Sequence, residues 1–257
     1  MVKNDLPNII ITRDAPLIIK DPYSVMHYGT ILMDIGAYIE IRAGARFQIE
    51  KLAYYNNSAN LPVSASYPSL AENEILAERN HHIILTGSLG GNGAKGNNGT
   101  DWGEHGGRGI DGKSGGNAPA NFTLTVKELK FDVTVLSVGG DGGDGGNGGD
   151  GANGYDGESS TKPGGIGGNG GNGGAGGRGG NAAQMVTVRY ASKNNFEPSV
   201  ECAASSGGRG GLGGRPGRNG KYYAGTAQPK EGSDGNYGIS GNPGSSQIEK
   251  IEVESDV

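Results

Sequence analysis

The chain has little of the material that usually builds a globular core. Hydrophobic residues make up 33% of its 257 residues and aromatic residues 6%, whereas glycine fills 53 positions. Such a composition normally buries too little apolar surface to offset the conformational entropy lost on folding. The glycine-rich regions are therefore either disordered or held together by something other than side-chain packing.

Three further features that the sequence lacks limit the functions that the protein can have. The single cysteine, Cys202, excludes an intramolecular disulfide, and a net charge of −5 argues against a nucleic-acid partner. No apolar run approaches the roughly 18 residues of a membrane span. Residues 1–14 lack the apolar region of a signal peptide. We therefore expect no transmembrane segment and an extracellular or virion-associated location that is reached without a signal peptide.

Residue types that serve catalysis are present without the spacings that such sites need. The four histidines form no zinc motif such as HExxH, and the chain has neither a nucleophile elbow nor a Walker loop. Asp141 and Asp144 recur at the period of the glycines, which separates them too far for one calcium ion. We expect a protein that is not an enzyme and that has no cofactor and no metal site.

What the chain does have is glycine at every third position in six runs, which we call legs 1 to 6. The legs cover residues 90–99, 103–115, 139–157, 164–179, 207–220 and 232–244. Each pair of legs lies between two segments with the composition of β-strands. These segments are 81–86 and 121–129, 131–138 and 184–191, and 198–205 and 247–255. The order is therefore strand, leg, turn, leg, strand, repeated three times.

A period of three is typical of the polyproline II backbone helix, which has no internal hydrogen bonds. Glycine on the contacting edges lets such helices approach closely and bond through their main chains. The sequence therefore predicts a slab of six packed polyglycine-II helices flanked by strands over residues 81–257. Gly-Gly-X triplets suit the middle of the slab, so leg 4 is expected to be central and legs 2 and 6 outer. Collagen is disfavoured because the chain has only 11 prolines and the glycine frame breaks at regular turns.

Residues 1–80 have an ordinary composition and are predicted to form a small β domain of solenoid or meander type. Strands are expected at 8–12 and 16–20, and an imperfect eight-residue repeat relates 36–43 to 44–51. A short helix is expected at 69–79, where Ser69 and Glu72 make a capping box. The predicted fold class is thus all-β with polyglycine-II, in two domains.

The turns between paired legs carry aromatic residues, including Trp102, the only tryptophan of the chain. Aromatic side chains at the ends of a rigid scaffold are typical of a recognition surface, although they also suit a cover over the open end of the slab. The candidate receptor-binding residues are Asp101, Trp102, Glu104, His105, Tyr155, Glu158, Lys162, Lys221, Tyr222, Tyr223 and Lys230.

Paired legs with turns gathered at one end resemble the receptor-binding adhesins at the tail-fibre tips of T-even-like bacteriophages, over about residues 88–245. The resemblance implies that loops 100–105, 155–163 and 221–231 bind an outer-membrane protein or a glycan. Residues 1–80 depart from that family, and we expect them to cap the legs or to bind a fibre or carrier protein. Two alternatives stay open: a secreted or crystal-forming structural or insecticidal protein, and an ice-binding protein similar to springtail antifreeze proteins.

Overall fold

The computed structural model describes residues 6–20, 24–42, 45–54, 82–193 and 195–252, and these contain strands but no helix. The helix predicted at 69–79 lies outside the described residues. The strands are β1 (Ile9–Ile11), β2 (Leu17–Ile19), β3 (Ser24–Met33), β4 (Ile39–Ile41), β5 (Ala45–Tyr54), β6 (Ile83–Thr86), β7 (Asn121–Leu129), β8 (Thr134–Val138), β9 (Met185–Tyr190), β10 (Ser199–Ala203) and β11 (Ser245–Lys250).

The strands alternate between two parallel sheets as the chain advances. Strands β1, β3, β5, β7, β9 and β11 form a six-stranded sheet in that order, and β2, β4, β6, β8 and β10 form a five-stranded sheet. Each strand thus pairs with the strand two places along in sequence. Parallel neighbours need a crossover connection, and here every crossover passes through the opposite sheet. The result is a coil of the β-solenoid kind.

The core lies between the two sheets and follows the two-residue period of the strands. In β7 the side chains of Phe122, Leu124 and Val126 are buried, while the residues between them are more exposed. Leu124 stands beside Val188 of β9, which is also buried. Because successive strand side chains point to opposite faces, this alternation places one apolar row of each strand inside the coil.

The structure corrects the predicted fold class. The architecture is an all-β, solenoid-like stack of two parallel sheets, not a slab of polyglycine-II helices with flanking strands and a separate N-terminal β domain. The two sheets run through both parts of the chain, since β5 in the N-terminal part pairs directly with β7 beyond leg 2. The sequence did not predict the two continuous sheets, because which distant strands pair leaves no local signal. The period of the glycines was the strongest pattern and led to the prediction of a polyglycine-II slab.

The six legs are the long connections of the last three coils. Legs 1, 3 and 5 leave the five-stranded sheet after β6, β8 and β10, and legs 2, 4 and 6 return into β7, β9 and β11. The outgoing legs bond in parallel: Gly93 N–H donates to the Asp144 carbonyl at 2.7 Å, and Gly145 N–H to the Arg209 carbonyl at 2.8 Å. Returning legs bond likewise, as Gly109 N–H does to the Asn172 carbonyl. Two layers of legs therefore extend the two sheets.

Main-chain hydrogen bonds also join the layers, at a separation that only glycine permits. Gly146 N–H donates to the Ile110 carbonyl at 2.8 Å, which ties leg 3 to leg 2. A Cβ on Gly109 of leg 2 would lie 1.9 Å from the carbonyl oxygen of Gly146 in leg 3. Legs 3 and 4 each bond to four other legs, legs 2 and 5 to three, and legs 1 and 6 to two. Gly-Gly-X triplets are densest in the legs with most neighbours, because both glycines of such a triplet lie against the main chain of a neighbouring leg.

Candidate functional site at the leg tips

The topology gathers the three turns between paired legs at one end of the molecule. All outgoing legs leave the same sheet in the same direction, so tip 1 (100–105), tip 2 (155–163) and tip 3 (221–231) lie side by side. Gly103 N–H of tip 1 donates to the Asn153 carbonyl just before tip 2, at 3.0 Å. Gly157 N–H of tip 2 donates to the Lys221 carbonyl of tip 3, also at 3.0 Å. Main-chain bonds therefore hold the tips in a row.

Tip 1 is built around the carboxylate of Glu104. That carboxylate accepts the main-chain N–H groups of Thr100 at 2.7 Å and of Asp101 at 3.0 Å, together with the Thr100 hydroxyl. These hydrogen bonds to the charged form lower the pKa of Glu104. Gly103 has a φ of 71°, which turns the chain back towards leg 2. The indole of Trp102 is left outside this turn, with 72% of the residue exposed.

Tip 2 is a small hairpin closed by a β-bridge between Ser159 and Lys162. The ammonium group of Lys162 pairs with the Glu158 carboxylate at 2.6 Å, and both side chains are largely exposed. The ring of Tyr155 lies over leg 4, because a Cβ on Gly165 would come within 2.5 Å of two ring carbons. Half of Tyr155 nevertheless remains exposed, so this side chain both covers the end of leg 4 and faces solvent.

Tip 3 holds an aromatic residue in a costly backbone conformation. Tyr222 has a φ of 57° and is 58% exposed. A non-glycine residue in the left-handed region costs roughly 1 kcal/mol or more. The next residue, Tyr223, is half-buried and packs its ring against Gly225. The base of the tip is closed by Asn219, whose amide donates to the Ala227 carbonyl at 3.1 Å.

The remaining polar candidates divide between structural and solvent-facing positions. His105 Nδ1 accepts the main-chain N–H of Asn169 at 2.8 Å, so its ring joins leg 2 to leg 4. Asp156 accepts the N–H of Lys221 and lies 3.8 Å from its ammonium group. Asp101 and Lys230 are exposed. The tips therefore bring together Trp102, Tyr155 and Tyr222 as exposed aromatic residues, with Glu104 and His105 as supports.

A polar ladder that sequence reasoning missed holds leg 5 against leg 3. Each outward Asp or Asn side chain of leg 3 accepts a main-chain N–H of leg 5, at 2.7 to 2.9 Å. The pairs are Asp141 with Ser206, Asp144 with Arg209, Asn147 with Leu212, Asp150 with Arg215, Asn153 with Arg218 and Asp156 with Lys221. The only sequence signal was the recurrence of Asp or Asn at every third position of one leg.

Away from the tips, an open groove of about 1010 Å³ lies where the five-stranded sheet meets the outgoing legs. Ion pairs of Glu40 with Arg42 and of Asp144 with Arg209 border it. In the part of the chain that the structure describes, no three His, Cys, Asp or Glu side chains form a group that could hold a metal ion. No helix among those residues is long and apolar enough to span a membrane.

Comparison with known proteins leaves the family open. No protein-family model matches the chain, and no curated protein is similar to it at a meaningful level. A solved structure that matches is the springtail antifreeze protein from Granisotoma rainieri, described as a bundle of nine polyproline type II helices whose crystal waters match the ice lattice. The two chains are 27% identical over 60% of this chain and 94% of that chain, with a TM-score of 0.10. A likeness at that TM-score carries no argument about this protein.

Proposed function

We propose that the protein is a non-enzymatic, receptor-binding adhesin whose tips contact a protein or a glycan on a cell surface. The observation that carries the proposal is Tyr222, an aromatic residue that is 58% exposed at tip 3 with a φ of 57°. Glycine or asparagine would adopt this conformation at lower cost. A tyrosine whose backbone is strained while its ring faces solvent contributes little to the fold, which favours a role in binding.

Trp102 supports the same role at tip 1. The turn that carries it is held by the hydrogen bonds that Glu104 accepts from the main chain of Thr100 and Asp101, yet the residue itself is 72% exposed. A rigid backbone lowers the entropy lost when an aromatic side chain is fixed in a complex. Aromatic residues are enriched among those that dominate binding energy, and they also stack on sugar rings. Trp102 and Tyr222 are therefore the primary contacts in this proposal, with Tyr155 beside them.

The tips also need covering residues, and two tyrosines have that geometry. Tyr223 packs on Gly225 and Tyr155 on Gly165, so both rings shield main chain at the end of the legs. In this proposal Trp102 and Tyr222 bind the receptor, Tyr223 covers the main chain and Tyr155 does both. In this proposal residues 1–80 attach the adhesin to a fibre or carrier protein, and the protein acts outside the cell or on a virion.

Binding of fluorescently labelled protein to a panel of bacterial and insect-gut cells tests the proposal. The variant Trp102→Ala/Tyr222→Ala is expected to lose binding to whichever cells the natural chain selects, with its melting temperature unchanged. Tyr237→Ala is the matched control, since Tyr237 is 76% exposed but lies on leg 6. Binding that the double variant retains, or a large fall in its melting temperature, would refute a recognition role for these residues.

The two other functions considered from the sequence predict different results in simple assays. A crystal-forming or insecticidal protein would self-assemble or damage membranes without regard to Trp102 and Tyr222. An ice-binding protein would produce thermal hysteresis, which a nanolitre osmometer measures directly. Hysteresis, or membrane damage that the double variant preserves, would replace the adhesin proposal.

A further inference from the structure

The two ends of the stacked coils are closed to different degrees. At the N-terminal end the inward side chains Ile11 of β1 and Ile19 of β2 are only 2% and 3% exposed. At the C-terminal end every residue of β11 is exposed, including Ile248 at 45%. Among the described strands, β11 has a neighbour on one side only, which is β9. Within the part of the chain that the structure describes, the C-terminal end therefore presents an open sheet edge and a partly exposed end of the core.

The pairing with β9 fixes which side chains of β11 point inward. Val186, Val188 and Tyr190 are buried, and their partners in the register are Ser246, Ile248 and Lys250. Ile248 consequently faces the apolar interior, but no strand among the described residues pairs with β11 on its far side. Leaving it in water forgoes part of the roughly 2 kcal/mol that full burial of an isoleucine contributes.

The legs at this end lack some of the donors that another coil would need. Gly151 of leg 3 and Ala182, just after leg 4, donate N–H groups to legs 5 and 6, at Arg215 and Asn242. Residues of leg 5 lie beside residues of leg 3 that are 65 positions earlier, and the corresponding offset between legs 6 and 4 is 61. The positions equivalent to Gly151 and Ala182 are therefore Pro216 and Pro243. Proline has no N–H to donate. Asp234 in turn caps the N–H of Gly213 at 2.8 Å. Two donor positions of leg 5 and one of leg 6 are therefore unavailable to a further coil, which disfavours growth by head-to-tail stacking along the legs.

We propose that a second copy of this chain docks on β11 through a two-fold axis at Ile248, so that the two β11 strands pair antiparallel. An axis perpendicular to the sheet keeps inward residues opposite inward residues. Centred on Ile248, it sets this isoleucine against its own copy, Ser246 against Lys250 and Gln247 against Glu249. Registers centred on Glu249 or Lys250 would oppose like charges, which is destabilising. The pairing of Ile248 with its own copy and the avoidance of like charges thus favour this register for a second copy of the chain.

This arrangement has a consequence for the tips. Strand β11 follows leg 6 and runs away from the legs, so an antiparallel partner directs its own legs the opposite way. The dimer would carry a set of three tips at each end. The dimer itself does not depend on the adhesin proposal, because it rests on the strand edge alone.

Sedimentation equilibrium of the full chain over a wide concentration range is the first test, with a dimer as the expected largest species. Ile248→Arg places like charges on the axis and should raise the dimer Kd by about tenfold or more, with an unchanged melting temperature at concentrations where the natural chain is a monomer. Gln247→Ser, on the opposite face of the same strand, is the control that keeps the dimer. A monomer at all concentrations, or mass that grows beyond a dimer, would overturn the proposal.

Crosslinking tests the register itself. In a Cys202→Ser background, Ile248→Cys puts two thiols directly opposite each other across the axis, at a separation close to that of a disulfide. Mild oxidation should give a covalent dimer. Lys250→Cys on the same face should not, because its copy lies four residues away along the strand. Equal crosslinking of both variants, or of neither, would contradict a pair centred on Ile248.

Discussion

The main-chain N–H of Arg209 donates to Oδ1 of Asp144 at 2.7 Å, and the guanidinium of the same arginine reaches Oδ2 at 2.9 Å. One exposed carboxylate therefore joins leg 3 to leg 5 and also pairs with a cation. The pairing lowers the pKa of Asp144 and raises that of Arg209. The same Asp or Asn position recurs along leg 3, so the pair is one rung of a ladder that aligns the two legs.

Separating the two roles of Asp144 gives the first prediction. Asp144→Asn keeps an oxygen that accepts the Arg209 N–H and loses only an exposed ion pair, which should cost less than about 0.5 kcal/mol. Asp144→Ala also removes the acceptor and should cost about 1 kcal/mol. Urea unfolding of the two variants measures the difference. An equal loss in both would mean that the ion pair, and not the main-chain bond, supplies the stabilisation.

Glycine in the central legs is expected to be irreplaceable, unlike glycine at an open position. Gly146→Ala would drive a Cβ to 1.9 Å from the carbonyl oxygen of Ala94, so legs 1 and 3 must separate. We expect the free energy of unfolding to fall by about 3 kcal/mol or more. Gly91→Ala is the matched control, because its Cβ would meet only the Lys113 side chain, at 3.7 Å. It should leave stability unchanged or raise it by up to about 1 kcal/mol.

Tyr222 should limit stability while serving binding. Tyr222→Asn relieves the left-handed strain and is expected to raise the free energy of unfolding by about 0.5 to 1 kcal/mol. Tyr237→Asn, at an exposed tyrosine without a positive φ, should change it by less than about 0.5 kcal/mol. Thermal and urea unfolding provide the comparison. A loss of stability in Tyr222→Asn would show that the ring packs more than its exposure indicates.

The conformation of tip 1 should depend on pH through Glu104. The pKa of this carboxyl is lowered by the N–H groups of Asp101 and Thr100. Its stabilising effect is therefore complete above the unfolded pKa of about 4.3 and is lost as the pH falls through the lower folded pKa. Trp102 lies in the same turn and is the only tryptophan, so its fluorescence should shift over that acidic range. In Glu104→Gln this transition should disappear; an unchanged transition would exclude Glu104 as its source.

Local sequence patterns located much of the secondary structure and the candidate tips. The predicted segment 121–129 coincides with β7, because its alternation of apolar and polar residues reports directly which side chains face the core. Trp102 and Tyr222 were found because frame breaks in the glycine repeat mark turns. The support given by His105 was not predictable, since its partner Asn169 lies on leg 4, 64 residues further along the chain.

The sequence by itself determined where the legs run and where they turn, because a period of three and its interruptions are local properties of the chain. The density of Gly-Gly-X triplets agrees with the central position of leg 4 and the outer position of leg 6. The outer position predicted for leg 2 is wrong, because leg 2 bonds to three other legs, whereas leg 1 bonds to two. Only the tertiary structure decided that strands such as β5 and β7 pair in parallel across 66 residues of intervening sequence. Parallel pairing of distant strands is fixed by packing between the sheets, and no local pattern encodes which strands will meet.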